Sequence, residues 1–274
     1  MTEYKVQNWL DDAQLKTIGF SDYWNNEEHE KIKEWYVLDG DFSKMEGYLL
    51  KTGLPLDYEE CLKILKEEFN YELKGVGIDL ASGNLWSAKS ILKSGLVDTL
   101  YCLEFSKHRL LKLGPKVLEH YDIPKDKAVL VWGSFYDLKV GNDFFDFVYL
   151  SAAFHHADRP QELLKEIKRV LKPGGVVIII GEFKINWANG YIKNFLKAII
   201  SRTLPAHVQQ RLFGKSYHGI KFFPKAIELF PPDPVLGDHY YTDRQYQSMF
   251  TQQGFKVRGF KRKGSETQSF ILFK

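Results

Sequence analysis

The sequence predicts an α/β fold built around a mostly parallel sheet, because strand-like and helix-like segments alternate along its middle. Short apolar segments predict buried strands at residues 75–80, 99–104, 128–132, 145–150 and 176–180. Amphipathic helical patterns separate several of these strands. Strands that are apolar throughout are typical of a parallel sheet covered by helices on both faces.

Residues 242–274 predict a helix followed by an antiparallel hairpin. Thr242-Asp243-Arg244-Gln245 has the form of a capping box, which opens a helix. Residues 255–260 and 268–273 then alternate as two strands around a short turn. These two strands bring the expected total to seven, with the antiparallel hairpin at the end of the chain.

Two segments lie outside this alternation. Residues 1–74 carry 9 Lys and Arg against 17 Asp and Glu, and their helical periodicity predicts a helical N-terminal cap on the core at 75–183. Residues 184–241 are basic and aromatic, and an insertion of this length usually forms a lid or a binding element. Three uses stay open for it: packing on the core, attraction of an anionic substrate or carrier, and peripheral membrane or lipid contact through 184–204.

Composition restricts the function further. With 274 residues and 44% hydrophobic content the chain can bury one sizeable core, and a formal net charge of +3 alone does not indicate nucleic-acid binding. Its two cysteines make no disulfide framework, so we expect a reducing, cytoplasmic location. No signal peptide or transmembrane segment is expected either.

A ligand site is expected where the first four strands end, because ligands of open parallel sheets bind beyond the carboxyl ends of the strands. Residues 79–85 contain small side chains that let the backbone turn close to a ligand. Glu104 ends the second strand, where a carboxylate can accept both hydroxyls of a ribose. Ser134 and Phe135 follow the third strand and suit a purine, and Ser151 follows the fourth.

The loop after the first strand separates two classes of cofactor. A dinucleotide requires Gly-x-Gly-x-x-Gly, and Trp86 stands at the third glycine position, where the helix must approach closely. Asp79-Leu80-Ala81-Ser82-Gly83-Asn84 instead resembles motif I of class I S-adenosylmethionine-dependent methyltransferases. Phe154-His155-His156-Ala157-Asp158-Arg159-Pro160 and Arg169-Val170-Leu171-Lys172-Pro173-Gly174-Gly175 resemble the type-11 methyltransferase domain, so that the resemblance covers about residues 75–182.

The resemblance implies a Rossmann-like class I methyltransferase fold with a mostly parallel seven-stranded sheet, a helical N-terminal cap and an inserted lid. It also implies S-adenosylmethionine as the cofactor, bound by a set of residues at the strand ends: Asp79, Ala81, Ser82, Gly83, Glu104, Ser134, Phe135 and Ser151. The sequence departs from the family at Ala81 and Leu85, where glycine is usual, and at Ser134, where an acidic residue is common.

His155 and His156 are the candidates for a general base, with His155 slightly favoured. Methyl transfer from a sulfonium is an in-line displacement, and a base is needed only when the acceptor holds a proton of high pKa. We expect no metal, because no carboxylate or cysteine set stands at ligand spacing from these histidines.

The expected function is methyl transfer to O, N or C of a small, apolar or aromatic acceptor. Aromatic residues outside the core supply the candidates for acceptor binding and the lid: Tyr23, Trp24, Tyr191, Phe195 and Phe222. Methylation of RNA or protein is the alternative enzyme function, which the near-neutral core disfavours. A non-catalytic cofactor-binding protein is the alternative of another class.

Overall fold

The computed structural model describes residues 3–16, 21–31, 33–183, 187–218 and 237–274. Its strands are β1 (Lys5–Asn8), β2 (Gly75–Leu80), β3 (Val97–Glu104), β4 (Ala128–Trp132), β5 (Phe145–Ser151), β6 (Leu171–Glu182), β7 (Lys256–Phe260) and β8 (Gln268–Phe273). Its α-helices are α1 (Asp12–Leu15), α2 (Ser21–Trp24), α3 (Glu27–Glu30), α4 (Ser43–Thr52), α5 (Leu54–Phe69), α6 (Ser87–Leu92), α7 (Gly114–His120), α8 (Pro160–Val170), α9 (Trp187–Thr203), α10 (Ala206–Phe213) and α11 (Asp243–Gln252).

The described strands form one sheet in the order β1-β4-β3-β2-β5-β6-β8-β7. All pairs are parallel except those that involve β8, which runs antiparallel to β6 and β7. The predicted α/β class and antiparallel terminal hairpin are therefore confirmed, and all seven predicted strands form at the expected places. The strand order reverses beside β2, so the loops after β2 and β5 face a shared crevice.

An eighth strand, β1, lies in the segment that the sequence predicts as a helical cap. Lys5 to Asn8 pair in parallel with Val129 to Trp132 of β4. The prediction of helix is wrong there, because four residues are too few to display an alternating pattern. The available edge of β4 supplies the backbone partners that make this segment a strand.

Two predicted breaks are absorbed into longer elements. Lys172-Pro173-Gly174-Gly175, predicted as a turn, forms an irregularity within β6, where Gly174 has a φ of 76° and the pairing with β5 shifts register. The predicted break at Gly114-Pro115 follows a π-helical turn at Arg109–Leu113 that precedes α7. A π-helical turn within a helix often accompanies a functional site.

The sheet is buried on both faces, as its apolar strands predict. On one face Ile78, Leu80 and Val148 pack with residues of α8 and α11 such as Leu163 and Phe250. The opposite face carries Phe147, Tyr149 and Ile178 against residues of α5. Both cysteines are buried free thiols in this second cluster. Among the described residues no helix is long and apolar enough to cross a bilayer.

Candidate active site

A cavity of about 290 Å³ lies at the carboxyl ends of the central parallel strands. Its wall combines the loops after β2, β3, β4 and β5 with side chains from α2, α4 and the segments that flank the insertion. Seven of the eight predicted cofactor residues line it: Ala81, Ser82, Gly83, Glu104, Ser134, Phe135 and Ser151. All the residues that the resemblance selects except Asp79 therefore meet in one place.

The loop after β2 turns through left-handed backbone conformations. Ala81, Gly83 and Leu85 have φ values of 55°, 58° and 68°, a region that favours glycine. The side chain of Leu85 is fully buried in the core cluster of α5 and α6. A Cβ atom on Gly114 would lie 2.6 Å from Leu85 Cδ1, so Leu85 fills space that this glycine leaves. Leu85 is not part of the cavity wall and does not narrow it.

Glu104 fastens this loop from the neighbouring strand. Its Oε2 accepts a hydrogen bond from the Gly83 amide at 2.9 Å, and its Oε1 accepts one from the Ser106 amide at 2.9 Å. Burial raises the pKa of the Glu104 carboxyl, while the charge of Arg109 and these amides act in the opposite direction. Each oxygen keeps a further lone pair, so the carboxylate can hold the loop and also accept from a ligand.

Asp79 lies behind the loop rather than on the cavity wall. Its Oδ2 accepts from the Ser87 hydroxyl, and its buried Oδ1 has no hydrogen-bond partner among the described residues. The pKa of Asp79 is raised to about 8, mainly because the carboxyl is buried. The Ser87 hydrogen bond acts to lower this pKa, and the nearby charge of Glu104 acts to raise it. The structure therefore separates Asp79 from the other seven predicted cofactor residues.

His155 is held by a buried carboxylate. Its Nδ1 lies 3.0 Å from Oε2 of Glu182, which is itself fully buried at the end of β6. Glu182 also accepts hydrogen bonds from the amides of Ala153 and Phe154 and from the Tyr246 hydroxyl. Burial lowers the pKa of His155, but the charge and hydrogen bond of Glu182 raise it, and the net effect is a raised pKa. This pairing favours a protonated His155 that positions the loop.

His156 has the opposite character. Its Nδ1 lies 3.0 Å from Oδ1 of Asp238, although the two atoms are not aligned as a hydrogen bond. Burial and the neighbouring His155 lower the pKa of His156, against the effect of Asp238. Its ring packs edge-on against Trp24, with centroids 5.2 Å apart. A neutral, partly accessible imidazole on the cavity wall can accept a proton, so the geometry favours His156 over His155 as a base.

His155, His156 and Asp238 also lie close enough together to hold a metal ion. One ligand atom from each of the three residues lies within 4.8 Å of the others. The sequence could not indicate this group, because Asp238 comes from the far end of the insertion. The expectation of no metal site stays a prediction, which metal analysis of the purified protein would test.

The predicted acceptor residues are only partly brought together. Trp24 lines the cavity, and Tyr23 packs edge-on against Trp24 with ring centroids 5.1 Å apart. Phe195 lies on α9 with an exposed side chain and is not part of the wall. The side chain of Tyr191 and the whole of Phe222 lie outside the described residues.

Several wall residues were not identified from the sequence. Arg109, on the π-helical turn, lies 4.7 Å from the ring centroid of Trp24 and 5.5 Å from that of Trp35. Its positive charge also lowers the pKa of Glu104, so Arg109 interacts with both the aromatic wall and the cofactor residues. Others come from distant parts of the chain and include Met45, Tyr48, Phe183 and Asp238. Only the position of Arg109, shortly after Glu104, gave a signal that sequence reasoning could have used.

Comparison with known proteins agrees with this geometry. Residues 78–179, which extend from β2 into β6, match the family described as Methyltransferase domain. The matched domain and the methyltransferase relatives support a class I S-adenosylmethionine-dependent methyltransferase. The methyltransferase is similar to the Demethylmenaquinone methyltransferase of Listeria monocytogenes, with 24% identity over 217 residues that cover 79% of this chain and 83% of the relative. The protein of the same name from Lysinibacillus sphaericus is 27% identical over 144 residues, which cover 53% and 56%.

Solved structures support the fold of the methyltransferase. A SAM dependent methyltransferase from Aquifex aeolicus has a TM-score of 0.52 and 16% identity, and the match covers 85% of this chain and 96% of that one. A SAM-dependent methyltransferase from Leishmania major has a TM-score of 0.56 and 11% identity, covering 93% and 82%. At these identities the similarity shows the fold alone.

Proposed function

We propose that the protein transfers a methyl group from S-adenosylmethionine to O, N or C of a small, largely apolar or aromatic acceptor. One observation carries this proposal: a single cavity joins seven predicted cofactor residues to an aromatic wall and a neutral histidine. We call Ala81, Ser82, Gly83, Glu104, Ser134, Phe135 and Ser151 the cofactor half. We call Trp24, Trp35, Met45, Tyr48, His156, Phe183 and Asp238 the acceptor half.

The cofactor half fits S-adenosylmethionine by its shape and its donors. A Cβ atom on Gly83 would meet nothing within 4 Å, so the backbone there is open to close approach. In this proposal Glu104 accepts the ribose hydroxyls, and Ser134 with Phe135 offers a hydroxyl and a ring for adenine, since all three residues line the cavity. When bound, the cofactor supplies an electrophilic methyl group on a sulfonium. Ser151 would line the wall beside that group.

The acceptor half supplies apolar surface and one proton acceptor. Trp24, Trp35 and Met45 exclude water from the acceptor, which strengthens electrostatic interactions in the cavity. Neutral His156 takes the proton of an acceptor hydroxyl or amine, and the Asp238 carboxylate stabilises the resulting imidazolium. The name of the relatives supports the proposed class of acceptor. Demethylmenaquinone is an aromatic, apolar molecule, and such a molecule suits this wall.

The arrangement of the remaining segments follows from the same proposal. In this proposal residues 1–74 cap the cavity through Trp24 and Met45, and residues 184–241 act as the lid, since Phe183 just before that segment and Asp238 near its end line the wall. The buried thiols of Cys61 and Cys102 are consistent with the cytoplasm as the proposed location. RNA or protein methylation is the alternative that the mainly apolar wall disfavours.

The decisive experiment combines cofactor binding with product analysis. Titration calorimetry with S-adenosylmethionine and with S-adenosylhomocysteine should give heat, and both compounds should raise the melting temperature. Incubation with S-adenosylmethionine that carries a deuterated methyl group, together with a panel of phenols, hydroquinones and aromatic amines, should transfer the label to a panel member. The absence of both heat and a melting shift would refute the proposal. Labelled RNA or protein, with an unlabelled panel, would establish the alternative.

A further inference from the structure

Helices α9 and α10 present an apolar surface to solvent. On α9, Ile192, Phe195, Leu196 and Ile199 are 41–54% exposed. At the end of α10, Leu212 and Phe213 are 63% and 45% exposed. The sequence places the apolar residues of α9 on one helical face and leaves three uses open for the insertion, of which packing on the core is one. In the structure this face is exposed to solvent.

A buried glutamine fixes the arrangement of these two helices. Gln209 of α10 donates from Nε2 to the carbonyls of Ile200 and Leu204, at 3.2 and 2.6 Å. Its Oε1 accepts from the amide of Tyr217 at 2.6 Å. Asn194 and Ala198, on another face of α9, are buried. We call residues 187–218 the α9–α10 hairpin. Its internal hydrogen bonds hold the two helices in a fixed arrangement, with the apolar face exposed to solvent.

The charges of the α9–α10 hairpin all have one sign. Residues 187–218 contain five Lys and Arg and no Asp or Glu. Lys193, Arg202, Arg211 and Lys215 are exposed near the apolar residues. Single exposed apolar side chains are ordinary on protein surfaces. Six large ones on a hairpin that carries only positive charge are instead typical of helices that lie in a membrane interface.

We propose that the α9–α10 hairpin binds the surface of an anionic lipid bilayer. The apolar side chains would enter the boundary between headgroups and acyl chains, and the cations would contact anionic headgroups. The hairpin begins at Trp187, shortly after Phe183 of the cavity wall, so binding would place the acceptor half close to the membrane. The binding itself is measurable without methyl transfer and stands or falls independently of the proposed reaction.

Vesicle co-sedimentation tests this surface directly. Vesicles of phosphatidylcholine with about one-third phosphatidylglycerol should bind the full-length protein at least tenfold more tightly than phosphatidylcholine alone. Raising the salt concentration should weaken binding, because the headgroup attraction is screened. Equal affinity for both vesicle types, or no binding to either, would overturn the proposal.

Matched variants distinguish binding through this surface from nonspecific adsorption to vesicles. The double variant Leu196→Ser and Leu212→Ser should lose at least tenfold in vesicle affinity, whereas Leu50→Ser with Leu56→Ser, which also changes exposed leucines, should lose little. The double variant Lys193→Glu and Arg211→Glu should likewise bind anionic vesicles weakly. Its control is Lys63→Glu with Lys116→Glu, which changes two exposed lysines outside the hairpin. Circular dichroism verifies folding of each variant. Equal losses in the control pairs would contradict the assignment, as would a dimer in solution that only the hairpin variants dissociate.

Discussion

The two halves of the cavity are assembled in different ways. The cofactor half comes from loops that directly follow β2, β3, β4 and β5, and it consists largely of backbone and small side chains. The acceptor half gathers Trp24, Met45, His156, Phe183 and Asp238 from segments far apart in the chain. Rigid parallel strands fix the first half, whereas side-chain packing between caps and insertion fixes the second.

This difference explains how a shared fold serves different acceptors. Strand ends bring the same loops together in every sheet of this topology, so a common cofactor site follows from the core. The segments outside the core carry most of the side chains that an acceptor would meet. Changes in the acceptor half should therefore alter turnover and leave cofactor affinity intact, and changes in the cofactor half should do the reverse.

The largest effect is expected at His156. The variant His156→Asn should lower kcat by about a hundredfold or more, because a positioned general base contributes roughly that factor. Affinity for S-adenosylhomocysteine, measured by calorimetry, should remain unchanged. Because burial and His155 lower the pKa of His156 below 6.5, kcat of the wild type should hold to about that pH and fall only at lower pH, as His156 becomes protonated.

The matched change His155→Asn tests the other histidine. It leaves the buried Glu182 carboxylate without its charged partner, which should cost about 3 kcal/mol of stability and lower the melting temperature. An unchanged kcat in His156→Asn would remove the general base from the mechanism. A larger loss of kcat in a folded His155→Asn would transfer that role to His155.

The next effect concerns Glu104, in the cofactor half. Glu104→Ala should weaken binding of S-adenosylmethionine at least tenfold, or about 1.4 kcal/mol, since both the ribose acceptor and the anchor of the Gly83 amide are lost. Glu119→Ala, at an exposed position on α7, is the control. Calorimetry that gives equal affinities for Glu104→Ala and the wild type would exclude Glu104 from the site.

The same contrast limits what the sequence could predict. Seven strands could be predicted from local patterns, and the loops after four of them line one cavity, as the rule for the carboxyl ends of parallel strands leads one to expect. The binding roles of the residues in the cofactor half stay predictions. Strand β1 could not be predicted, since its four residues depend on the edge of β4. Asp238 and Trp24 meet at His156 only through tertiary packing, and the roles of His155 and His156 depend on which of them contacts Glu182.

A smaller, pH-dependent effect is expected at Asp79. Its pKa of about 8 in the folded protein exceeds the ordinary 3.8, so its contribution to stability is present at acid pH and is lost as pH rises toward 8. Asp79→Asn mimics the protonated form. Its melting temperature should therefore match that of the wild type near pH 4, exceed it by a growing margin as pH rises from 4 to 8, and exceed it most near pH 9. A gain that is the same near pH 4 and near pH 9 would contradict a raised pKa, and Asp98→Asn at an exposed site is the control.

The smallest expected effect is a change in the free energy of unfolding when alanine is replaced by glycine, and it should be the same in both halves of the cavity. Ala81, in the cofactor half, and Ala152, beside the acceptor half, have φ values of 55° and 47°. Replacing alanine by glycine removes the strain of the left-handed conformation, about 1–2 kcal/mol. It also increases the entropy of the unfolded chain, which costs about 0.5–1 kcal/mol. Ala81→Gly and Ala152→Gly should therefore each raise the free energy of unfolding by about 0.5 kcal/mol. Ala88→Gly, within α6, should instead lower it by about 1 kcal/mol. Denaturant titration measures all three, and a loss of stability in Ala81→Gly would mean that the loop after β2 does not hold the conformation on which the cofactor half depends.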